Sequence, residues 1–177
     1  GYDACDSIVQ LKVREADCAK ILKVKLGREE AEDKRMIRVI RSISNKPIYV
    51  DANQGWPTKE HALKMCQWLA EQGVVLIEQP MPTHMNEEHA WLCERVELPI
   101  IADEACQTYA DVAGLQPYYD GINIKLMKCG GVAEARKMIA LARELGMQVM
   151  IDWLHDRNQR GYLCGCDAEP IGRLCRL

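Results

Sequence analysis

Five ionisable residues punctuate this chain at nearly even intervals: Lys25, Asp51, Glu78, Asp103 and Lys125 stand 26, 27, 25 and 22 residues apart. Three carboxylates brought to one point repel one another unless a cation sits among them. A ligand set made only of carboxylate oxygens, without His or Cys, suits a hard divalent ion. Mg²⁺ is the first choice and Mn²⁺ the second, with the remaining positions left to water and substrate oxygens. Lys23 and Lys25 are two residues apart, so in a strand both point to the same side. An amine is a poor base in water, with a reference pKa of about 10.4, but cationic neighbours and partial burial make its neutral form more available. Lys25 and Lys125, entering from opposite sides, suit the removal of a proton from one face of a carbon and its return to the other. The α-proton beside a carboxylate is a demanding case, because its loss adds a second negative charge to the carboxylate oxygens, which a divalent ion stabilises directly.

The elements that must position these residues are legible as short apolar runs: ILKVKL (21–26), PIYVDAN (47–53), VVLIEQP (74–80), PIIADE (99–104), GINIKL (121–126) and MQVMID (147–152). Each is rich in β-branched residues and bounded by Gly, Pro or Asn, the pattern of a buried parallel strand. Between them lie helical stripes, formed by Met36, Ile37, Ile40 and Ile43, by Leu63, Cys66 and Leu69, and by Ala135, Met138, Ile139, Ala142 and Leu145. Alternating strand and helix predicts a parallel α/β sheet, closed as a barrel or open and doubly wound. Gly130-Gly131 lacks the third glycine and partner acid of a dinucleotide fingerprint, so a barrel is expected. One strand-helix unit separates each charged residue from the next, placing all five at the C-terminal rim, where active sites of such barrels gather. A single Asp at a strand end is an ordinary surface residue; three acids at unit spacing, within DAN, IEQP and ADE, are not.

Composition narrows the partners. The 177 residues carry a net charge of −3 with acids and bases interspersed, so there is no basic face for nucleic acid and no polybasic segment for a membrane surface. The opening GYDACDSIVQ lacks the features of a signal peptide and no apolar run is long enough to span a bilayer, so a cytoplasmic location and small-molecule partners are expected. The nine cysteines show no zinc-finger spacing and are expected to be buried, reduced thiols. His61, His84 and His89 fall on helices or loops away from strand ends, which predicts solvated or capping roles.

Taken together, KVKLG, VDANQGW, IEQPMP, PIIADE and NIKLMKCGG resemble the muconate-lactonising subgroup of the enolase superfamily, most closely its dipeptide epimerases of the L-Ala-D/L-Glu type. The likeness runs from about Asp6 to Ile151. It implies an enolase-type (β/α)7β TIM-like barrel, with Asp51, Glu78 and Asp103 as magnesium ligands. It further implies Lys25 and Lys125 as acid/base catalysts on opposite faces, and Lys23 as an electrostatic helper near the substrate carboxylate. The implied reaction is epimerisation of a dipeptide such as L-Ala-L-Glu through an enediolate. Muconate cycloisomerase or o-succinylbenzoate synthase-like chemistry would use the same residues.

The chain also departs from the family. The capping domain and the first barrel strand are expected to be missing, as is the last strand, so residues 1–151 form an incomplete barrel domain. An open sheet exposes pairing edges, which a homo-oligomer would cover, and a catalytically inactive fragment is the reading from another class. Residues 152–177 are expected to be a non-native, frameshifted tail. If Asp152 to Asp156 were encoded GAT TGG CTG CAT GAC, another frame would contain ATT GGC TGC ATG AC, which restores the family's pattern. On that expectation His155, Cys164, Cys166 and Arg173 carry no catalytic role, and the coding DNA tests it.

Overall fold

In a computed structural model the chain is described over residues 6–152, with side chains to 151, and at the backbone of 162–164, 170–171 and 174–176. The order is α1 (Asp6–Glu15), β1 (Ile21–Lys25), α2 (Glu30–Arg41), β2 (Ile48–Asp51), α3 (Lys59–Glu71), β3 (Val74–Glu78), α4 (Asn86–Cys93), β4 (Ile100–Ala102), α5 (Tyr109–Leu115), β5 (Gly121–Lys125), α6 (Val132–Glu144) and β6 (Gln148–Asp152). Short strands β7 (Tyr162–Cys164), β8 (Pro170–Ile171) and β9 (Leu174–Arg176) follow. Strands β1 to β6 pair in parallel, each with its neighbour in the chain, as a curled half-barrel. Strand β9 lies parallel beside β1, while β7 and β8 extend the other edge antiparallel. The sheet is the expected α/β barrel in part. The expected non-native tail falls mostly outside the described residues.

Helix starts are set locally. The Thr58 hydroxyl accepts the His61 amide at 3.2 Å to open α3, and Thr108 and Asp111 form a capping box at α5. Each helix then returns the chain to the next parallel strand, giving the alternation predicted from the apolar runs. Among the described residues no helix is long and apolar enough to cross a membrane.

Period-2 alternation divides the sheet into two faces. Leu22, Val24, Ile48, Val50, Ile77, Ile100, Ile122 and Ile124 face the helices, every one fully buried in the main core with Ile37, Ile40, Met65 and Leu69. Fully burying such a side chain contributes about 1.5–3 kcal/mol. The opposite face holds a separate small cluster, Ile21, Tyr49, Leu76, Ile101 and Met150, at the inner layer of the curl. Gly121 belongs to that inner face because a Cβ there would stand 2.7 Å from Ile101 Cδ1 and 2.6 Å from the Gln148 carbonyl.

The register places the charged residues on a stagger. Lys25 pairs with Asp51, Asp51 with Glu78, Glu78 with Ile101 and Ile101 with Gly121, so the first three charged residues share a row. Asp103 and Lys125 lie one and two inward positions beyond that hydrogen-bonded row. An eight-stranded barrel with shear 8 steps by about one residue per strand, so tilted strands need a stagger of this kind to bring their ends to one mouth.

Candidate active site

Immediately above the small apolar cluster the inner face turns ionic. Lys23 inserts its ammonium between two acids, 2.9 Å from Asp51 Oδ2 and 2.5 Å from Glu78 Oε2. All three side chains are within 2% of complete burial. The Tyr49 hydroxyl donates to Glu78 Oε2 at 2.8 Å and Asn123 Nδ2 donates to Glu78 Oε1 at 2.6 Å. Buried carboxylates persist only when paired and hydrogen-bonded, and Glu78 meets both conditions. Tyr49 and Asn123 each lie two residues before a predicted site residue, so strand periodicity places them on the same inward face; that spacing was the signal available in the sequence.

Asp103, just beyond the end of β4, is as buried as the other two acids. The Lys125 ammonium pairs with its Oδ2, and Lys128 Nζ stands 3.6 Å from Oδ1. That Oδ1 is buried and accepts no hydrogen bond. Lys25 behaves differently from Lys23: its side chain is 53% exposed, its Nζ is 3.6 Å from Asp51 Oδ2, and it donates to Asn53 Oδ1 at 3.1 Å. The expected pair on one strand thus splits into a buried counter-ion and an accessible amine.

The loops that carry these groups are held close. Gly27, with φ +92°, follows β1 so tightly that a Cβ would fall 1.9 Å from the Ala52 carbonyl, and one on Gly55 would fall 2.0 Å from the Gly27 carbonyl. Only glycine permits this crossing of the two rim loops. Three non-glycine residues at the rim adopt positive φ: Asn53 at 46°, Gln54 at 62° and Gln79 at 40°. Such backbone costs on the order of 1–3 kcal/mol per residue and concentrates at functional sites. Glu104 was not singled out from the sequence, although it is the last letter of ADE. Burial, then the charge of Asp103, hold its carboxyl above the usual range, and its Oε2 is buried without a hydrogen-bond partner.

A divalent cation suits these donors in kind. Asp51, Glu78 and Asp103 offer hard oxygens from three consecutive strands, Asp103 Oδ1 has spare acceptor capacity, and the Lys23 ammonium already lies between two of the acids. As the side chains stand, no group of three or more His, Cys, Asp or Glu is spaced to grip an ion among the described residues. An ion there requires the lysine-paired oxygens to turn toward it.

The histidines lie elsewhere. His84 is exposed and His61 opens α3 beside Glu30, as expected, but His89 is not solvated. It is fully buried, donates from Nδ1 to the Met85 carbonyl at 2.7 Å, and stacks on Tyr119. The described cysteines, Cys18, Cys66, Cys93, Cys106 and Cys129, are free; Cys66, Cys106 and Cys129 are buried as expected, whereas Cys93 is half-buried and Cys18 is exposed. Burial pushes the Cys66 and Cys106 thiols up to about 12.

Residues 8–159 match the family described as enolase C-terminal domain-like. The chain is 51% identical over 152 residues to the L-Ala-D/L-Glu epimerase of Bacteroides thetaiotaomicron, covering 85% of this chain and 39% of that protein. A dipeptide epimerase from Enterococcus faecalis superposes with a TM-score of 0.78 at 33% identity, over 85% of this chain and 45% of that one. A dipeptide epimerase from Cytophaga hutchinsonii, complexed with Mg and the dipeptide D-Ala-L-Val, gives a TM-score of 0.76 at 28% identity, over 85% and 42%. The chain spans less than half the length of these relatives. With its curled parallel sheet, its inward-facing acids and this match over most of its length, the chain belongs to the enolase C-terminal domain-like family of the enolase superfamily.

Proposed function

We propose that this site serves the epimerisation of a dipeptide, such as L-Ala-L-Glu, by moving the proton on the carbon beside a carboxylate. The observation that carries the reading is the placement of two amines, Lys25 on β1 and Lys125 on β5, on either side of Asp51, Glu78 and Asp103. The family membership and the dipeptide epimerases among the relatives support it.

Lys25 is the more accessible amine and meets the carbon from the β1 side. Lys125, paired with Asp103, delivers a proton from the β5 side; in the opposite direction the two exchange tasks. Lys23 stays buried and supplies fixed positive charge beneath the substrate carboxylate. Asp51, Glu78 and Asp103 would hold Mg²⁺. When bound, that ion supplies positive charge to the carboxylate oxygens as the α-proton leaves and an enediolate forms.

The test is Mg²⁺-dependent exchange of the α-proton of L-Ala-L-Glu in deuterated buffer, followed by NMR. Lys25→Met and Lys125→Met are each expected to lower exchange from one face by roughly 10²- to 10⁴-fold, the usual worth of a positioned acid or base. Lys25→Met should leave the thermal melt unchanged, since its ion pair is half-exposed and 3.6 Å long. A chain that melts cooperatively yet exchanges nothing would sink the reading. That result would favour the second reading, a catalytically inactive piece of barrel.

A further inference from the structure

The geometry points to Gln79 as a positioning residue that fixes the spacing of Asp51, Glu78 and Asp103, and through that spacing sets the affinity of the site for a divalent cation. The inference rests on the metal reading proposed above.

Gln79 follows Glu78 directly and is completely buried. Its amide nitrogen donates to the Ile101 carbonyl at 2.9 Å, and its own carbonyl accepts from the Gln54 amide at 2.8 Å. These two bonds tie the end of β3 to the loops that follow β2 and to β4. The side chain repeats the connection. Oε1 accepts from the amides of Asp103, at 3.0 Å, and Ala105, at 3.2 Å, while Nε2 donates to the Met81 carbonyl at 3.1 Å and to the Tyr119 hydroxyl at 3.0 Å. A primary amide has two donor hydrogens and an oxygen with two lone pairs, so every capacity is used.

One residue therefore joins all three acids. It is bonded to Glu78, it holds the turn three residues past Asp51, and it accepts from the backbone of Asp103 itself. It does so with φ at +40°, a conformation that side chains other than glycine rarely adopt. Partners outside the ligand set orient the ligands of metal sites, and losing one typically weakens metal binding 10- to 100-fold.

The probe is Mn²⁺ itself, titrated into the chain while the free-ion signal and the bound-ion spectrum are read by electron paramagnetic resonance. Asp51→Asn serves as the control and should abolish the binding. Gln79→Met keeps the length of the side chain and loses both its polar ends; it should weaken Mn²⁺ binding roughly 10- to 100-fold and alter the bound-ion spectrum. Tyr119→Phe removes one of the four side-chain bonds and should weaken binding by roughly two- to tenfold. A purely structural Gln79 would lower the melting temperature and leave both metal readouts unchanged. A folded Gln79→Met that binds within twofold of the parent overturns the inference and leaves the metal reading standing. If Gln79→Met does not fold, unchanged binding by Tyr119→Phe overturns it. A folded parent chain that binds no Mn²⁺, or binds it equally after Asp51→Asn, overturns the metal reading and this inference with it.

Discussion

The two faces of this one sheet are buried to a similar degree and are built on opposite terms. Toward the helices, Leu22, Val24, Ile48, Val50, Ile77, Ile100, Ile122 and Ile124 form a continuous apolar layer with no charge in it. Toward the inside of the curl, five apolar side chains give way within one inward step to Lys23, Asp51 and Glu78, all nearly inaccessible to solvent. Burial alone thus says little about what a face is for. The outer layer is stabilised by removing apolar area from water. The ionic part of the inner face is held by charge pairing and hydrogen bonds, and a group removed from it leaves another uncompensated. The rim residues with positive φ also cluster at the inner mouth, at Asn53, Gln54 and Gln79.

That contrast is broken most severely by removing the central cation. Lys23→Met leaves Asp51 and Glu78 buried without their shared partner, a change of about 3–5 kcal/mol in metal-free buffer by urea denaturation. Saturating Mg²⁺ should restore part of the loss, because a second cation answers the same acids. In the outer layer, Ile77→Ala should cost about 2–5 kcal/mol through lost burial and a cavity, and Mg²⁺ should give this variant no more help than it gives the parent. Equal recovery in both variants would erase the distinction between the faces.

A gentler probe is acid. Burial holds the His89 imidazole below its ordinary pKa, against a smaller opposing effect of its bond to Met85. Its folded-state pKa is therefore depressed, and the unfolded chain takes up the proton first. His89 favours the fold above the unfolded value of about 6.5 and loses that advantage as pH falls toward the lower folded-state pKa. His89→Gln should flatten the slope of stability against pH below about 6.5, by no more than one proton's worth; an unchanged slope would mean that His89 takes up its proton as readily in the fold as in the unfolded chain. The smallest effect is chemical. Cys66 and Cys106, pushed up to about 12, should resist alkylation until denaturant is added, while exposed Cys18 reacts at once, as peptide mapping would read.

Much of this was legible beforehand. The apolar runs predicted all six parallel strands to within a residue or two, and the helical stripes found Ile37, Ile40, Cys66, Leu69 and Met138 in the core. Strand periodicity aimed Lys23 and Lys25 inward with the acids. What escaped were groups whose roles depend on contacts from distant segments. Gln79 looks like any turn residue until the turn after β4 supplies the amides of Asp103 and Ala105. His89, on a helix of mixed polarity, is a core residue in the fold, where Tyr119 packs against its ring.

The sequence by itself determined which side chains share a face, because a backbone with a repeat of two residues leaves no other choice. It determined the chemistry of the inner face too, since the acids and amines recur once per strand-helix unit. Only the tertiary structure decided depth. Lys23 and Lys25 are equivalent along the chain, yet one is 1% exposed and the other 53%. Their difference comes from the register with β2 and from the acids that β2 and β3 bring alongside. Pairing between segments more than 20 residues apart is a property of the folded sheet, and so is the burial it imposes.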